Sequence, residues 1–421
     1  MNLKKFIQNE YMFSILTKFI SIGIGLLQSI LVARFLGAEL KGINAYISSI
    51  ASIGSILITF GMHQAYPYFR KKMGKDAIYE DYISIVSILY IGFLVFGVLL
   101  AATVTAEIPI KTVFILIPLL GYSKIVDYVT LIEYPNIRNK WWTIISVIDV
   151  LYVFLLWMFV ERSITWGLSI LLFADVIKCA VYSIILKIRI RVHKGLLGVL
   201  KELLRYGFFP MLALLMTTLN YRIDVLMLKQ YSYISDAMIG VYSLGLTLAD
   251  KVVLIPDTLK GVLTSRLAKG ALDEEVAKVS RIGLWSSVLL FALIAIFGRF
   301  FISFLYGDEY IGAYSIIMIT AFGLLAVVYF KFIAQYNIIN KKQILNVVLL
   351  SIAIASDVIL NKMFIPIWGI QGAAVATSIS NVLCGVVFII YFCTRTGVPI
   401  SKMIIPQVED FSMLRSLIRK K

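Results

Sequence analysis

The chain has 421 residues, 60% hydrophobic and only 15% charged, against about 45–50% and about 25% in soluble domains, so a soluble fold of this length cannot hide its apolar side chains. A formal net charge of +16 invites a nucleic-acid reading, but no segment forms the basic soluble face that such a partner requires. Cys179, Cys384 and Cys393 lie in apolar runs and the only histidines are His63 and His193, which excludes a disulfide framework and any Cys/His metal spacing.

A bilayer core about 30 Å thick takes about 20 apolar residues per helix. Such runs occur near 12–35, 43–68, 82–104, 111–134, 142–160 and 164–186, and again near 206–229, 238–264, 282–305, 312–337, 343–365 and 370–393. The start, Met1 to Tyr11, resembles a secretory leader, but the run after it is too long and lacks a small-residue cleavage pattern, so an uncleaved first helix is expected. The fold class expected is therefore all-α: a polytopic membrane protein of about twelve helices.

Lys and Arg alternate between connections. Lys4 and Lys5 precede the first run; Arg70, Lys71, Lys72 and Lys75 follow the second; Arg138 and Lys140 follow the fourth; and Lys187, Arg189, Arg191, Lys194, Lys201 and Arg205 follow the sixth. The pattern continues with Arg266, Lys269, Lys278 and Arg281, with Lys341 and Lys342, and with a tail that ends in Arg419, Lys420 and Lys421. The intervening connections hold only Arg34, Lys41, Lys111, Arg162, Lys229 and Lys362. Because cytoplasmic loops accumulate Lys and Arg, both termini are expected in the cytoplasm. Lys260 and Arg299 fall just inside helix ends, where long stems snorkel. The longest cytoplasmic connection, about Leu186 to Arg205, predicts two six-helix lobes, residues 1–195 and 196–395, and a short basic tail, 396–421. Gly42 to Tyr46 in one half echoes Gly240 to Ser243 in the other, in the manner of a parallel repeat.

No phosphate-cradling Gly-x-x-x-x-Gly-Lys-Ser/Thr loop and no HExxH occurs, no Gly-x-Ser-x-Gly elbow sits in a soluble segment, and no large outer domain carries paired acids. A non-enzyme without cofactor or metal is expected. What remains are ionisable residues at membrane depth, which are costly and usually face a bundle interior or a watery cavity. Lys124 with Asp127, and Asp175 with Lys178, stand three apart on one helix face and suit structural ion pairs. Asp149 and Asp357 have no partner within their own helices. Arg222 and Asp224, two apart, point to nearly opposite sides of one helix. Lys18, Asp250, Lys251 and Lys331 are likewise unpaired by local spacing, so a hydrated cavity and interhelical bridges are both open readings; for Lys18 and Lys331, near cytoplasmic ends, snorkelling competes. Trp141, Trp142, Tyr306 and Tyr310 sit at helix ends and suit an interfacial belt. Pro118, Pro210 and Pro256 fall inside helices, where they permit bending or fix a kink. Gly372, Ala373, Ala374 and Ala376 form a small-residue stripe suited to close helix packing.

Several stretches taken together resemble the polysaccharide-lipid flippases, the Wzx-type exporters of O-antigen and capsule repeat units, of the superfamily that also holds multidrug extruders and the lipid II flippase. They are Ala33 to Gly37 with Gly42, Phe60 to Met62 before the basic loop, Arg222 to Asp224, Gly240 to Tyr242, Tyr306 to Tyr310, and above all Asn361 to Ile365 followed by Pro366 to Thr377. Thr264 and Ser265 depart from the pattern, since such proteins commonly carry a proline there.

The resemblance implies a central cavity lined by helices one, two, seven and eight, opening alternately to each side of a bacterial plasma (inner) membrane. Its implied cargo is an oligosaccharide joined through pyrophosphate to an isoprenoid lipid, moved to the outer leaflet for lipopolysaccharide or capsule synthesis. Membrane lipids surround it, and a polysaccharide polymerase and glycosyltransferases are the implied partners. Lys18, Arg222 and Lys251 would meet the phosphates, Asp224 and Asp250 would hold those cations or accept sugar hydroxyls, and Lys331 and Asp357 are further cavity or gating candidates. The competing readings are a cation-coupled multidrug extruder of the same superfamily and, from another class, a membrane polysaccharide polymerase.

Overall fold

The computed structural model describes residues 10–193, 195–268, 273–340 and 342–407, and among them every regular element is helical. In chain order the helices are α1 (Glu10–Thr59), α2 (Met62–Met73), α3 (Lys75–Thr103), α4 (Ile108–Glu133), α5 (Pro135–Phe159), α6 (Ile164–Ile185), α7 (Leu196–Leu228), α8 (Asp236–Ala249), α9 (Leu254–Ala268), α10 (Asp273–Phe301), α11 (Ala313–Ile339), α12 (Gln343–Thr396) and α13 (Ile400–Ile404). Hydrocarbon cannot hydrogen-bond a backbone, so a chain this apolar satisfies its N–H and C=O groups within helices.

Ten helices among the described residues are long and apolar enough to cross a membrane. Two of these spans, Ile22–Lys72 and Ile344–Thr396, are twice the usual length, and each is broken by a glycine. Gly37 has φ 70° in α1 and Gly369 has φ 57° in α12, backbone that glycine adopts without the penalty a Cβ would bring. Each glycine turns the chain into a second limb, which restores the twelve crossings expected. The chain is a multi-pass membrane protein.

The helices form two compact units, Met1–Thr218 and Leu219–Lys421. The division between them falls inside α7, whose first residues, Leu196 and Leu203, join the apolar cluster of unit 1. Gly61 sits at φ 67° in the α1–α2 corner, and a Cβ there would lie 2.2 Å from the Gly207 carbonyl, so the two backbones touch. Unit 1 packs Tyr66, Tyr82, Ile125, Val129 and Tyr182 into one apolar cluster and Phe35, Val153 and Leu156 into another. In unit 2 the backbones of α11 and the second limb of α12 meet closely: a Cβ on Gly385 would lie 2.2 Å from the Ala326 carbonyl. Ala373, Ala374 and Ala376 are buried in the same limb, which is the close packing that small residues allow. Tyr306 and Tyr310 are buried and do not form the interfacial belt expected of them; a position at a helix end does not say which way a ring turns.

Candidate functional site

The eighth crossing is discontinuous. α8 stops at Ala249, Asp250–Val253 tighten into a 3-10 turn, and α9 resumes at Leu254. Pro256 has no N–H to give the Val252 carbonyl one turn back, and a 3-10 stretch in mid-helix is a common mark of a functional break. The break presents charge: Asp250 is exposed and Lys251 half-exposed. The charges acting on Asp250 are Lys331, Lys251, Arg222 and Asp257, in that order. Asp257, also exposed, binds Lys331 of α11 at 2.6 Å, and Lys260 stands one turn further along the same face of α9.

Unit 2 thus gathers four cations, Arg222, Lys251, Lys260 and Lys331, around two exposed acids, Asp250 and Asp257. Charges left open at membrane depth require water beside them. The surplus is positive, so the face can hold a diffusible anion.

Arg222 and Asp224 part company as their spacing predicts. Arg222 is half-exposed, whereas Asp224 is buried. The Tyr242 hydroxyl of α8 donates to Asp224 Oδ2, the Val225 N–H donates to Oδ1 at 2.8 Å, and the Thr377 hydroxyl of α12 reaches Oδ2 at 3.5 Å. Asp357, from the first limb of α12, lies close to both Thr377 and Asp224. It is buried, and neither of its carboxylate oxygens makes a hydrogen bond. One turn on, Asn361 is buried too; its Nδ2 donates to the Asp357 carbonyl at 3.0 Å while its Oδ1 stays unpaired. Two carboxylates, a hydroxyl and a carboxamide oxygen therefore converge where burying a bare charge is costly. This is an oxygen donor set that suits a proton or a hard cation.

The intramembrane acids of unit 1, Asp127, Asp149 and Asp175, each have a protein partner, although Asp149 Oδ1 is buried and unpaired. Arg138 grips Asp127 through two bonds of 2.7 and 2.8 Å, Lys178 pairs with Asp175 at 3.1 Å, and Ser123 donates to Asp175 at 2.7 Å. Gln28 donates to Asp149, and Lys124 donates to the Ser55 hydroxyl at 2.8 Å. The Lys18 side chain lies outside the described residues.

Of the residues singled out in the sequence, unit 2 brings Arg222, Asp250, Lys251 and Lys331 to one open face, with Asp224 and Asp357 as a buried pair behind it. Asp257, Lys260, Tyr242, Thr377 and Asn361 join them. Asp257 was visible as a further acid in the 238–264 run, and Asn361 and Thr377 bound the stretch that carries the strongest part of the family resemblance.

No family model and no curated protein matches the chain. Solved structures do. A lipid II flippase MurJ in an inward closed conformation aligns with a TM-score of 0.72 at 16% identity, over 96% of this chain and 92% of that one. A multidrug resistance MATE family transporter of the MOP superfamily aligns at 0.64 in its inward-facing conformation, with 12% identity over 89% of this chain and 94% of that one. An outward-facing MATE structure aligns at 0.61, with 12% identity over 91% and 94%. The chain has the fold that these MOP-superfamily proteins share.

Proposed function

We propose that the chain is a transporter that carries an isoprenoid-pyrophosphate-linked oligosaccharide from the cytoplasmic to the outer leaflet of a bacterial cell membrane by alternating access, for surface polysaccharide synthesis. The observation that carries the reading is the cationic surplus of the open face in unit 2: Arg222, Lys251, Lys260 and Lys331 against Asp250 and Asp257. A pyrophosphate and a chain of hydroxyls left unsatisfied in hydrocarbon cost several kcal/mol per group. A wet cationic face lowers that cost by offering charge-assisted hydrogen bonds to the phosphates. Arg222 and Lys251 contact the pyrophosphate in this reading; Asp250 orients the cations, and the lipid tail remains in the bilayer. Glycosyltransferases supply the cargo and a polymerase consumes it.

The test is transbilayer movement of a labelled isoprenoid-pyrophosphate oligosaccharide in proteoliposomes. Arg222→Ala and Lys251→Ala, each still folded, are expected to slow movement by about tenfold or more, the worth of one bond to a charged group. Movement at the unchanged rate in both variants removes them from the site.

The second reading, a cation-coupled extruder, draws support from the buried pair of Asp224 and Asp357, in which the unpaired oxygens of Asp357 suit a coupling ion. Expulsion of cationic dyes under an ion gradient, with no movement of the lipid-linked sugar, would establish it instead.

A further inference from the structure

Asp257 and Lys260 stand three apart on α9 and share a face, which Thr264 continues one turn further. On α11, Lys331 and Gln335 stand four apart. The two rows meet rung against rung: Lys331 Nζ donates to Asp257 Oδ1 at 2.6 Å, and Thr264 Oγ1 donates to Gln335 Oε1 at 3.2 Å. Lys260 lies beside the first rung, where the charges acting on it are Lys331 and Asp257. Two ammonium groups therefore stand near one carboxylate, and only Lys331 is bonded to it.

The three side chains are not equally placed. In the Lys331–Asp257 pair the lysine side chain is 12% exposed and the aspartate 46%. The lysine is held against the helices while the acid is the more exposed partner and the freer to turn away. A second ammonium at membrane depth is unfavourable without an anion to meet it, and a single exposed carboxylate matches only one of the two.

We propose that Lys260 and Lys331 form a phosphate subsite in which Asp257 is the resident anion, displaced when a pyrophosphate group reaches the two ammoniums. The natural source of that group, a lipid headgroup, rests on the flippase reading above. The exchange is favourable for two reasons. Pyrophosphate carries more charge and more acceptor oxygens than one carboxylate, and the displaced Asp257 is solvated. Asp257 therefore competes with the ligand, which sets this arrangement apart from a structural ion pair: removing the acid strengthens binding.

The experiment uses the full chain in nanodiscs of phosphatidylcholine, with binding of radiolabelled inorganic pyrophosphate measured at equilibrium. Lys260→Gln and Lys331→Gln are each expected to weaken binding by about tenfold, and Asp257→Asn to tighten it severalfold by removing the competitor. Lys260→Gln breaks no ion pair seen among the described residues, so it keeps the test valid if Lys331→Gln does not fold. Isoprenyl pyrophosphate added to the same discs separates the sources: if it displaces the inorganic ion, the subsite takes a lipid headgroup, and if it does not, the subsite takes free phosphate, both outcomes supporting an anion site. An Asp257→Asn chain that binds pyrophosphate no more tightly than the unchanged protein overturns the proposal. If the binding pattern holds but no lipid-linked sugar crosses the bilayer, the flippase reading fails and the subsite stands. If transport proceeds and all three substitutions leave pyrophosphate affinity unchanged, the subsite alone fails.

Discussion

Two residues of α7 separated by one position meet opposite surroundings, and hydroxyl groups account for much of the difference. Asp224 is buried with Tyr242 and the Val225 N–H as donors, while Arg222 is half-exposed beside the acids of the open face. A buried acceptor stripped of its donor costs about 1–3 kcal/mol. Tyr242→Phe, which removes the hydroxyl and keeps the ring, is expected to destabilise the protein by about that amount in thermal unfolding of the purified chain. Thr377→Val should cost less, because its hydroxyl stands 3.5 Å from the carboxylate, at the limit of a hydrogen bond. A larger loss for Thr377→Val than for Tyr242→Phe would mean that Thr377, and not Tyr242, holds the acid.

At the scale of elements, the break in the eighth crossing and the two glycine corners do different jobs. Gly37 and Gly369 reverse the chain, whereas the turn at Asp250–Val253 leaves the helix direction broadly intact and opens it where Asp250 and Lys251 sit. Pro256→Ala supplies the missing N–H and should extend α9 back toward Asp250, leaving the protein as stable or more so. Displacing charged groups by as little as 1 Å can cost a reaction about a hundredfold; for transport we expect about a tenfold loss, measured with the labelled lipid in proteoliposomes, alongside an unchanged or raised melting temperature. The crossings themselves were legible from hydropathy, since a helix in lipid needs little more than an apolar run of sufficient length. Lateral partners were not. Asp127 takes Arg138 from the following helix, α5, and a sequence spacing of eleven signals no contact on one helix. Tyr242 gives no hint in the sequence that its hydroxyl finds an acid eighteen residues away. The site was half-legible for the same reason: intramembrane charges announce themselves, but which of them face an opening and which face a core depends on packing between helices.

Across the molecule, the two units treat their buried charges differently, and that asymmetry bears on cargo more than the fold does. Lipid II flippases and multidrug transporters share this fold, so the backbone does not choose between their ligands. In unit 1, Asp127, Asp149 and Asp175 each receive a donor from Arg138, Gln28 and Lys178 respectively, and only Oδ1 of Asp149 is left unpaired among their buried oxygens. In unit 2, Asp357 is buried with both oxygens unpaired beside Asp224, while the cations gather on the open face. A buried acid such as Asp357, whose oxygens take no hydrogen bond, is satisfied by an ion from outside or by a proton, and an ion bound in one state but not the other couples its gradient to the movement. We therefore expect lipid movement in proteoliposomes to rise severalfold under an inward-directed sodium or proton gradient, and Asp357→Asn to abolish that rise. If neither gradient changes the rate in the intact chain, the pair is structural. The membrane potential, worth about 2.3 kcal/mol per charge per 100 mV, then suffices to draw an anionic headgroup outward.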